Sequence, residues 1–554
     1  MDTGEGNIGR GARREPRPDP AQSEALSMRG NSFRGNRELP RVPDTGGVSG
    51  RPEEGDARAS GMYARGKSDG CTVPKKPPNN GERSSPAEVV EGRRPTEGNV
   101  SQTAAHRTQS RARASIGLRR VREAARRDGR AQFSALLHHV DVDLLRSSFH
   151  ALKRYASPGV DGLAWRQYAD GLEERLRDLH DRVHRGSYRA QPSRRAWIPE
   201  ADGRMRPLGV CALEDKIVQQ AVATVLNSVH EEDFLGFSCG FRPGRSAHDA
   251  LDALWVGIMG KKVNWVLDAD IRGFFDTIDH GWMMKFLEHR IADRRVLRLV
   301  RKWLRAGVSE DGIWSKTEVG TPQGAVISPL LANVYLHYVL DLWVEQWRRK
   351  HATGDVVIVR YADDFVMGFQ HRREAERFLK ELRERLEKFG LALHSDKTRL
   401  IEFGRFAASN RKKRGEGRPE TFDFLGFTHM CGKTWKNKRF VVRRKTMAKR
   451  LRAKLREVRD ALFRRRHEPI PVLGAWLRKV VQGYLNYHAV PGNTACVSAF
   501  REEVGWHWLR ALRRRSQKDR FSWERIGRLV ARWLPPARIL HPHPGDRFHA
   551  KYPR

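Results

Sequence analysis

The clearest pattern of apolar and polar positions lies in VVIVRYADDFVMGF, residues 356–369. Two apolar, β-prone arms flank a short polar centre, which predicts a β-hairpin. Its turn carries two adjacent carboxylates, Asp363 and Asp364. A solvated turn is one explanation, because Asp is a common turn residue. The apolar arms favour a second explanation, in which a buried carboxylate pair needs cations.

Helical and strand patterns alternate irregularly over residues 150–430, which predicts an α+β fold. HGWMMKFLEHRI predicts a helix, and SPLLANVYLHYVLDLWVEQW predicts a long helix starting after Pro329. KVNWVLDADI predicts a strand, and LALHSDKTRLIEF a strand pair or extended segment. HRREAERFLKELRERLEKFG predicts an amphipathic helix that stops at Gly390. Its apolar stripe consists of Ala375, Phe378, Leu379, Leu382, Leu386 and Phe389.

The two ends of the chain differ from this middle part. Gly and Pro make up 27 of the first 100 residues, with only Phe33 and Tyr63 as aromatics, so we expect residues 1–110 to be basic and largely disordered. Residues 431–535 combine Arg and Lys at helical spacing with bulky aromatics, which predicts a helical domain with a phosphate-binding face. Residues 536–554 are expected to form a short tail.

The charge of the chain points to a polyanionic partner. Lys and Arg number 105 against 66 Asp and Glu, which leaves a net charge of +39. Such a surplus attracts nucleic acid first and an anionic membrane second. We find no long apolar run and no apolar leader, so we expect a protein without a membrane partner that is not secreted. The five widely spaced Cys fit a reducing compartment better than a zinc ribbon.

Further carboxylates follow the predicted strand KVNWVLDADI. Asp268 and Asp270 lie at its end, on one face by strand alternation, and Asp276 and Asp279 follow. A strand offering one carboxylate and a hairpin offering two would suit a two-metal phosphoryl-transfer site. Mg²⁺ prefers such oxygen ligands together with substrate phosphates. Strand parity leaves both Asp268 and Asp270 as candidates for the third ligand.

Eight motifs in order resemble the successive blocks of group II intron reverse transcriptases, over residues 110–535. RYADDF is similar to the catalytic box of that family, and DADIRGFFDTIDH to its first palm motif. The other six are SPGVDG, IPEADGRMRPLGV, GFRPGRSAHDAL, GTPQGAVISPLLANVYLH, GLALHSDKTR and FDFLGF. The resemblance implies a right-hand polymerase, with fingers and palm built on an antiparallel sheet over residues 111–430, and an α-helical thumb/maturase domain over residues 431–535.

The resemblance also implies the roles of individual residues. Two Mg²⁺ ions, replaceable by Mn²⁺, would be held by the catalytic carboxylates Asp270, Asp363 and Asp364, with Ile271 as a further metal ligand. The motif spacing favours Asp270 over Asp268. Nucleotide-binding residues would be Arg204, Arg206, Phe275, Gln323 and Lys397, and primer/template residues Gly426 and Phe427.

Each of these roles has a plainer alternative. Phe275 would exclude the ribose 2′-OH, unless both it and Phe274 belong to the core. Lys397 would lie near the leaving pyrophosphate as a proton donor. The two arginines could instead decorate a surface hairpin, and Gly426–Phe427 could be a buried strand end. Four aromatics after residue 480 either stack on bases or pack the helices together: Tyr484, Tyr487, Trp506 and Trp508.

The function implied is RNA-directed DNA polymerisation, with assistance to splicing and mobility of an intron RNA. Expected partners are group II intron RNA, an RNA template with a DNA primer, dNTPs and target DNA. A bacterial cytoplasmic, nucleoid-associated protein is expected. About twenty residues without Cys follow Trp533, so no H-N-H endonuclease module is expected. The alternatives are an RNA-binding splicing factor without polymerase activity and a domesticated or defence reverse transcriptase.

Overall fold

The computed structural model describes residues 116–199, 205–310, 312–321, 323–515 and 522–553. Predictions for residues 1–110, including their disorder, lie outside these ranges, and so does Arg204. The described ranges mix helices with three β-sheets, which confirms the α+β class. None of the helices in these ranges has the length and apolar character needed to cross a bilayer.

The helices and strands are numbered in chain order. The first nine helices are α1 (116–127), α2 (Val142–Ala151), α3 (Trp165–Ala169), α4 (Leu172–Arg185), α5 (Leu213–Asp233), α6 (Ala247–Gly260), α7 (Phe274–Thr277), α8 (His280–Glu288) and α9 (Arg294–Arg305). The later helices are α10 (Ser328–Leu336), α11 (Leu342–Lys350), α12 (Arg372–Glu387), α13 (Ala407–Lys413), α14 (Ala448–Arg464), α15 (Ile470–His488), α16 (Thr494–Arg513), α17 (Trp523–Trp533) and α18 (Pro544–Lys551). The strands are β1 (Ser193–Pro199), β2 (Met205–Val210), β3 (Trp265–Ala269), β4 (Val308–Glu310), β5 (Ile313–Ser315), β6 (Val356–Tyr361), β7 (Asp364–Phe369), β8 (Arg399–Glu402), β9 (Phe422–Phe424), β10 (Phe427–Lys433) and β11 (Phe440–Thr446).

The central sheet has the antiparallel order β6-β7-β3-β8. Both of its faces are buried, because alternate side chains of each strand belong to two different apolar clusters. Ile358 and Met367 pack into the cluster that contains α12, whereas Val357 and Val366 pack into the cluster that contains α6. Burial on both faces explains why the two arms read as continuous apolar runs in the sequence.

The predicted hairpin and amphipathic helix are both present. β6 and β7 are joined through Ala362 and Asp363, and Tyr361 pairs with Asp364. In α12 and just beyond it, the stripe residues are buried, except for Leu379, which is partly buried. Gly390 follows the helix with a positive φ of 71°, as expected for a stop residue.

The long helix predicted after Pro329 starts slightly earlier and is not uniform. α10 begins at Ser328 with the proline in its first turn, and five residues, His337–Asp341, form a π-helical turn before α11. A π-turn inserts one extra residue into the helix and rotates the side chains that follow. Apolar periodicity alone does not reveal such an insertion, because α10 and the π-helical turn are almost fully buried and therefore show no polar face.

Two smaller sheets accompany the central sheet. In the order β2-β1-β4-β5, β1 pairs antiparallel with β2 and parallel with β4. The antiparallel sheet β11-β10-β9 lies against α6, where the indole of Trp255 donates to the carbonyl of Val442 at 3.0 Å. This third sheet shares an apolar cluster with β6 and β7 and leads into α14.

Helices α14–α17 enclose an apolar cluster of their own. Tyr484 and Trp508 are buried in it, so these two pack the helices together and are closed to nucleobases. Tyr487 is half-buried, and Trp506 is 44 % exposed. The predicted tail 536–554 contains α18, which packs on α6, where Arg547 pairs with the buried carboxylate of Asp252.

Candidate active site

The carboxylate that follows β3 and the two carboxylates at the β6–β7 turn meet at one edge of the central sheet. In the register of β3 against β7, Ala269 pairs with Phe365, which places Asp270 opposite Asp364 as the next pair along. On the other side of β7, Asp364 pairs with Tyr361. Asp270 and the turn carboxylates therefore share one sheet edge, although 93 residues separate Asp270 from Asp363 in the chain.

The two turn carboxylates are less buried than the arms that carry them. Asp363 is half-buried and Asp364 keeps an exposed face, so the pair opens to solvent at the sheet edge. Burial, with the nearby negative charge of Asp270, raises the pKa of Asp363. Burial, followed by the charges of Asp363, Asp270 and Asp268, raises the pKa of Asp364 to about 6. The carboxylates are thus close enough to disfavour one another's ionisation.

Asp270 and Asp268 have different cationic partners. The ammonium of Lys397 donates to Oδ2 of Asp270 at 2.6 Å, while the backbone carbonyl of Asp270 accepts from the amide of His394 at 2.8 Å. Asp268 lies inside β3 with the guanidinium of Arg399 at 3.4 Å. Burial raises the pKa of Asp268 to about 6, although Arg399 opposes the shift.

The arrangement fits divalent cations only with help from substrate. Within the described residues, no three His, Cys, Asp or Glu side chains are grouped closely enough to enclose a metal ion. The oxygens present are nevertheless the ligands Mg²⁺ prefers, and Mg²⁺ is commonly bound by one or two carboxylates plus substrate phosphates. The side chain of Ile271 is apolar and buried, so only its backbone carbonyl can serve as a ligand.

A buried ion pair braces the turn from beneath. Arg360, whose side chain is fully buried, makes two hydrogen bonds to Asp341, at 2.7 and 2.5 Å. Its third nitrogen donates to the carbonyl of Ala362 and to Asn333, at 2.9 and 3.1 Å. Asp341 ends the π-helical turn, which gives that irregularity a structural purpose.

Close backbone packing fixes the same turn from another side. Asn333 donates to the carbonyl of Gly240 at 2.8 Å, and a Cβ atom on Gly240 would lie 2.2 Å from the amide nitrogen of Ala362. Ala362 itself has a positive φ of 58°, which is uncommon for a residue with a side chain. The loop before α6 and the carboxylate turn are therefore in direct backbone contact, which only glycine at position 240 permits.

The predicted nucleotide residues lie around this edge. Arg206 is exposed on β2, and its charge lowers the pKa of Asp363 against the effect of burial. Phe274 is buried in the core, whereas Phe275 is only partly buried. The side-chain amide of Gln323 donates to the carboxylate of Asp276, at 3.1 and 3.2 Å, and the backbone carbonyl of Gln323 accepts from the amide of Gly209 at 2.6 Å.

A cleft of about 390 Å³ separates the carboxylates from the turn that joins β9 to β10. Of the predicted primer residues, Gly426 lines this cleft, but the side chain of Phe427 is fully buried and packs 5.7 Å from the ring of Tyr487. The Tyr487 hydroxyl donates to the carbonyl of Leu425 at 2.8 Å and so fixes the turn. The other residues facing the cleft include Asp268, Asp270, Asp364, Lys397, Arg399, Asp423 and Arg450.

Two of these features escaped the sequence reasoning. Arg450, in the first turn of α14, is one of many basic residues, and nothing in the sequence distinguishes it from its neighbours. Arg360 had a usable signal, because an arginine inside the apolar run VVIVRY must find a buried partner. The identity of that partner, Asp341, depends on the π-turn and could not be read from spacing.

Comparison with known proteins adds an independent result. Residues 198–429 match the family described as reverse transcriptase (RNA-dependent DNA polymerase). Protein YkfC of Escherichia coli is 35 % identical over 277 residues, which are 44 % of this chain and 72 % of YkfC.

Two intron-associated proteins match shorter segments. The group II intron-encoded protein LtrA of Lactococcus lactis is 41 % identical over 184 residues, 33 % of this chain and 30 % of LtrA. An uncharacterised 91 kDa protein in the cob intron of Schizosaccharomyces pombe is 41 % identical over 154 residues, 28 % of this chain and 19 % of that protein. The matches thus span less than a third of either of these two relatives.

Proposed function

The chain belongs to the group II intron-encoded reverse transcriptases and maturases, and we propose that it copies RNA into DNA and assists the splicing and mobility of its intron RNA. The observation that carries the polymerase activity is the meeting of Asp270, Asp363 and Asp364 at one open sheet edge. A short cleft beside that edge receives cationic side chains from the segment before β8 and from α14.

The proposed architecture is that of a right hand. The fingers and palm comprise residues 111–430 in the sequence-based division, and the thumb/maturase domain residues 431–535. Because residue 430 lies in the middle of β10, and its partner β11 ends at Thr446, we move the boundary to residue 447. The composition changes earlier than the fold does, since the basic residues already begin on β10 and β11.

The proposed reaction is attack of the primer 3′-oxygen on the α-phosphorus of a dNTP. A bond forms between these two atoms, the bond from the α-phosphorus to the pyrophosphate oxygen breaks, and the 3′-hydroxyl proton passes to water. Asp270, Asp363 and Asp364 supply the carboxylates that hold two divalent ions together with the substrate phosphates. When bound, such ions lower the pKa of the attacking hydroxyl and neutralise charge on the leaving group.

The remaining residues bind and select the nucleotide. Arg206 would bind the triphosphate, and the effect of its charge on the pKa of Asp363 supports this role. Lys397 donates a hydrogen bond to Asp270 and lines the cleft, where its ammonium can donate a proton to the departing pyrophosphate. Phe275 presents a partly buried ring that would clash with a ribose 2′-hydroxyl. Gln323, whose side chain donates to Asp276, would line the nucleotide pocket.

The proposed partners are an intron RNA, an RNA template with a DNA primer, dNTPs and target DNA. The net charge of +39 supports polyanionic partners, because clustered Lys and Arg bind phosphates through release of counterions. The basic residues of α14 offer such phosphate contacts, and Arg450 of this helix lines the cleft.

Primer extension on an RNA template with dNTPs and Mg²⁺ tests the proposal, with Asp363→Ala as the site variant and Asp355→Ala, before β6, as the matched control. We expect extension by the wild type and the control but none by Asp363→Ala. Extension by Asp363→Ala would refute the site assignment. If no protein extends while wild-type RNA binding is retained, the polymerase proposal fails and an RNA-binding splicing factor remains.

A further inference from the structure

The β10–β11 hairpin projects a basic tip, which we define as residues 433–439. The strands pair in register up to Lys433 and Phe440, and Thr434 and Arg439 then close the loop through hydrogen bonds of 2.8 and 3.1 Å. Four residues, Trp435–Lys438, remain at the apex, where Lys438 has a positive φ of 50°. The apex thus has a defined backbone course on a paired stem.

Trp435 stands at this apex with 88 % of its surface exposed, more than any other large apolar side chain among the described residues. The ammonium of Lys438 lies 5.2 Å from the centre of the indole ring. Burying an indole ring away from water is favourable by a large free energy, and an exposed ring does not obtain it. A single exposed tryptophan is therefore typical of a residue that contacts a binding partner. The ring is too small a patch for a protein interface on its own.

The charge around Trp435 selects an anionic partner. Between Asp423 and Glu457 the sequence has twelve Lys and Arg and no Asp or Glu. In the described ranges, none of the four cations of the basic tip forms an ion pair: Lys433, Lys436, Lys438 and Arg439. Arg443 adds a fifth charge, because its side chain runs over Gly432 and donates to the carbonyl of Lys433 at 2.5 Å.

The basic tip is remote from the reacting groups. β10 starts immediately after Gly426, which lines the catalytic cleft, and continues to Lys433. Seven strand residues at about 3.3 Å each place the tip roughly 20 Å from the cleft. A base bound by Trp435 is therefore different from the base being copied.

The indole also discriminates between kinds of nucleic acid. In a duplex the flat faces of the bases are covered by neighbouring bases, and only edges and phosphates are accessible. In loops and bulges of folded RNA, a base face is free to stack on an aromatic side chain. A single exposed tryptophan surrounded by lysines therefore suits an unpaired base with flanking phosphates.

We propose that the basic tip is a binding site for an unpaired base of folded RNA, with Trp435 stacking on the base and the lysines binding adjacent phosphates. The inference rests on the proposed function only in naming intron RNA as the natural source of such a base. It adds a docking point separate from the template–primer cleft, on the far end of the sheet that carries Gly426.

Binding of three defined probes by the full chain tests the site. The probes are an RNA stem–loop with ten unpaired nucleotides, a fully paired RNA duplex of the same length, and an RNA–DNA template–primer. Trp435→Leu removes the aromatic face but keeps an apolar side chain, whereas Trp435→Phe keeps an aromatic face. The double variant Lys436→Gln/Lys438→Gln tests the charges. Its matched control is Lys380→Gln/Lys388→Gln, at two exposed positions in α12 and directly after it.

We expect Trp435→Leu to weaken stem–loop binding by about 5- to 100-fold, the range of one base–aromatic stack. Trp435→Phe should retain most of the affinity, and duplex and template–primer binding should change less than about threefold. The double lysine variant should make the salt dependence of stem–loop binding shallower, by about 0.7 in slope for each phosphate that no longer has a cation beside it, and the control pair should not. Melting temperatures identify any variant that fails to fold.

Two results would overturn the inference. One is unchanged stem–loop affinity in Trp435→Leu; the other is an equal loss for duplex and template–primer, which would make the tip part of the duplex channel. Primer extension measured on the same preparations separates this test from the proposed function. Loss of stem–loop binding with primer extension intact supports the site. If the wild type does not extend a primer, the proposed function fails, but the stem–loop affinities of the wild type and the variants can still be compared.

Discussion

The β6–β7 and β10–β11 hairpins have the same antiparallel pairing but differ in the burial of their arms and in the charge at their tips. The β6–β7 hairpin has arms buried on both faces, a two-residue turn and two carboxylates. The β10–β11 hairpin has arms that are alternately buried and exposed, a longer apex and a cluster of cations around Trp435. One tip is held on several sides by buried groups, and the other extends into solvent.

The difference indicates that the tip with carboxylates is held more rigidly than the tip with lysines. A carboxylate pair whose members disfavour each other's ionisation must be held in place by its surroundings, and Arg360, Asp341 and Gly240 provide that support. A tip that contacts a large flexible polyanion gains from adaptable side chains instead. Changes at the first tip should therefore be costly, and equivalent changes at the second tip tolerated.

Inserting one glycine into each tip is the most direct test of this difference in rigidity. Between Ala362 and Asp363, the insertion shifts the carboxylate relative to β3 and disrupts the contact with Gly240. We expect primer extension to fall by more than about 100-fold, the upper range for loss of a residue that only supports a metal ligand. The same insertion between Asn437 and Lys438 should leave extension within about twofold, since loop tips tolerate insertions. Equal losses would show that the acidic turn is no more constrained than the basic one.

Substitution of the two strand carboxylates sharpens the assignment of the third ligand. Asp270→Asn should reduce extension by more than about 100-fold, because Asp270 lies opposite Asp364 and binds Lys397. Asp268→Asn should cost less than about tenfold, since Asp268 lies two pairs further inside the sheet beside Arg399. The reverse order would make Asp268 the ligand and would remove the argument from motif spacing.

Removing the buried arginine tests the bracing of the acidic turn. Arg360→Met leaves Asp341 as an uncompensated buried charge and should destabilise the protein by about 3–5 kcal/mol. The double variant Arg360→Met/Asp341→Leu should recover most of that stability but not the activity, because the carbonyl of Ala362 still lacks its donor. Lys438→Met at the exposed tip should change stability by less than about 0.5 kcal/mol. Denaturation midpoints measure all three, and a double variant as unstable as Arg360→Met would contradict this account.

The two hairpins also differ in how much the sequence revealed. The acidic hairpin was predictable because its signal is local: apolar arms, a two-residue gap and paired carboxylates all lie within fourteen residues. The stripe of α12 was predictable for the same reason. Phe427 was not, because a buried strand end and a primer contact have the same local sequence, and only packing against Tyr487 decides between them.

The supports of the site were hidden for a different reason. Asp341, Asn333 and Gly240 lie between 19 and 122 residues from the atoms they brace, and a π-turn brings Asp341 into place. Periodicity describes which face of a helix is buried but carries no information on long-range hydrogen bonds. The basic tip was equally hidden, since its lysines read as part of a long cationic segment until the hairpin register isolated Trp435.

The smallest expected effect is a pH-dependent response to Mg²⁺ at the acidic turn. The pKa of Asp364 is raised to about 6 in the folded protein, above its ordinary value of 3.8. The folded state therefore holds this proton more tightly than the unfolded state, so its contribution to stability declines as pH rises from about 4 to 6 and stays constant above. Mg²⁺ binds the ionised carboxylates, so it should stabilise the protein above about pH 6 and have progressively less effect as the pH falls below the pKa of Asp364.

Melting temperatures with and without Mg²⁺ measure this response. We expect a rise of about 2–5 °C at pH 8 and less than about 1 °C at pH 5. Asp364→Asn should abolish the rise at pH 8, whereas Lys436→Gln/Lys438→Gln should keep it, because the cations of the basic tip take no part in metal binding. A rise of equal size at both pH values, or one that persists in Asp364→Asn, would place the stabilising Mg²⁺ elsewhere on the protein and separate the raised pKa from metal binding.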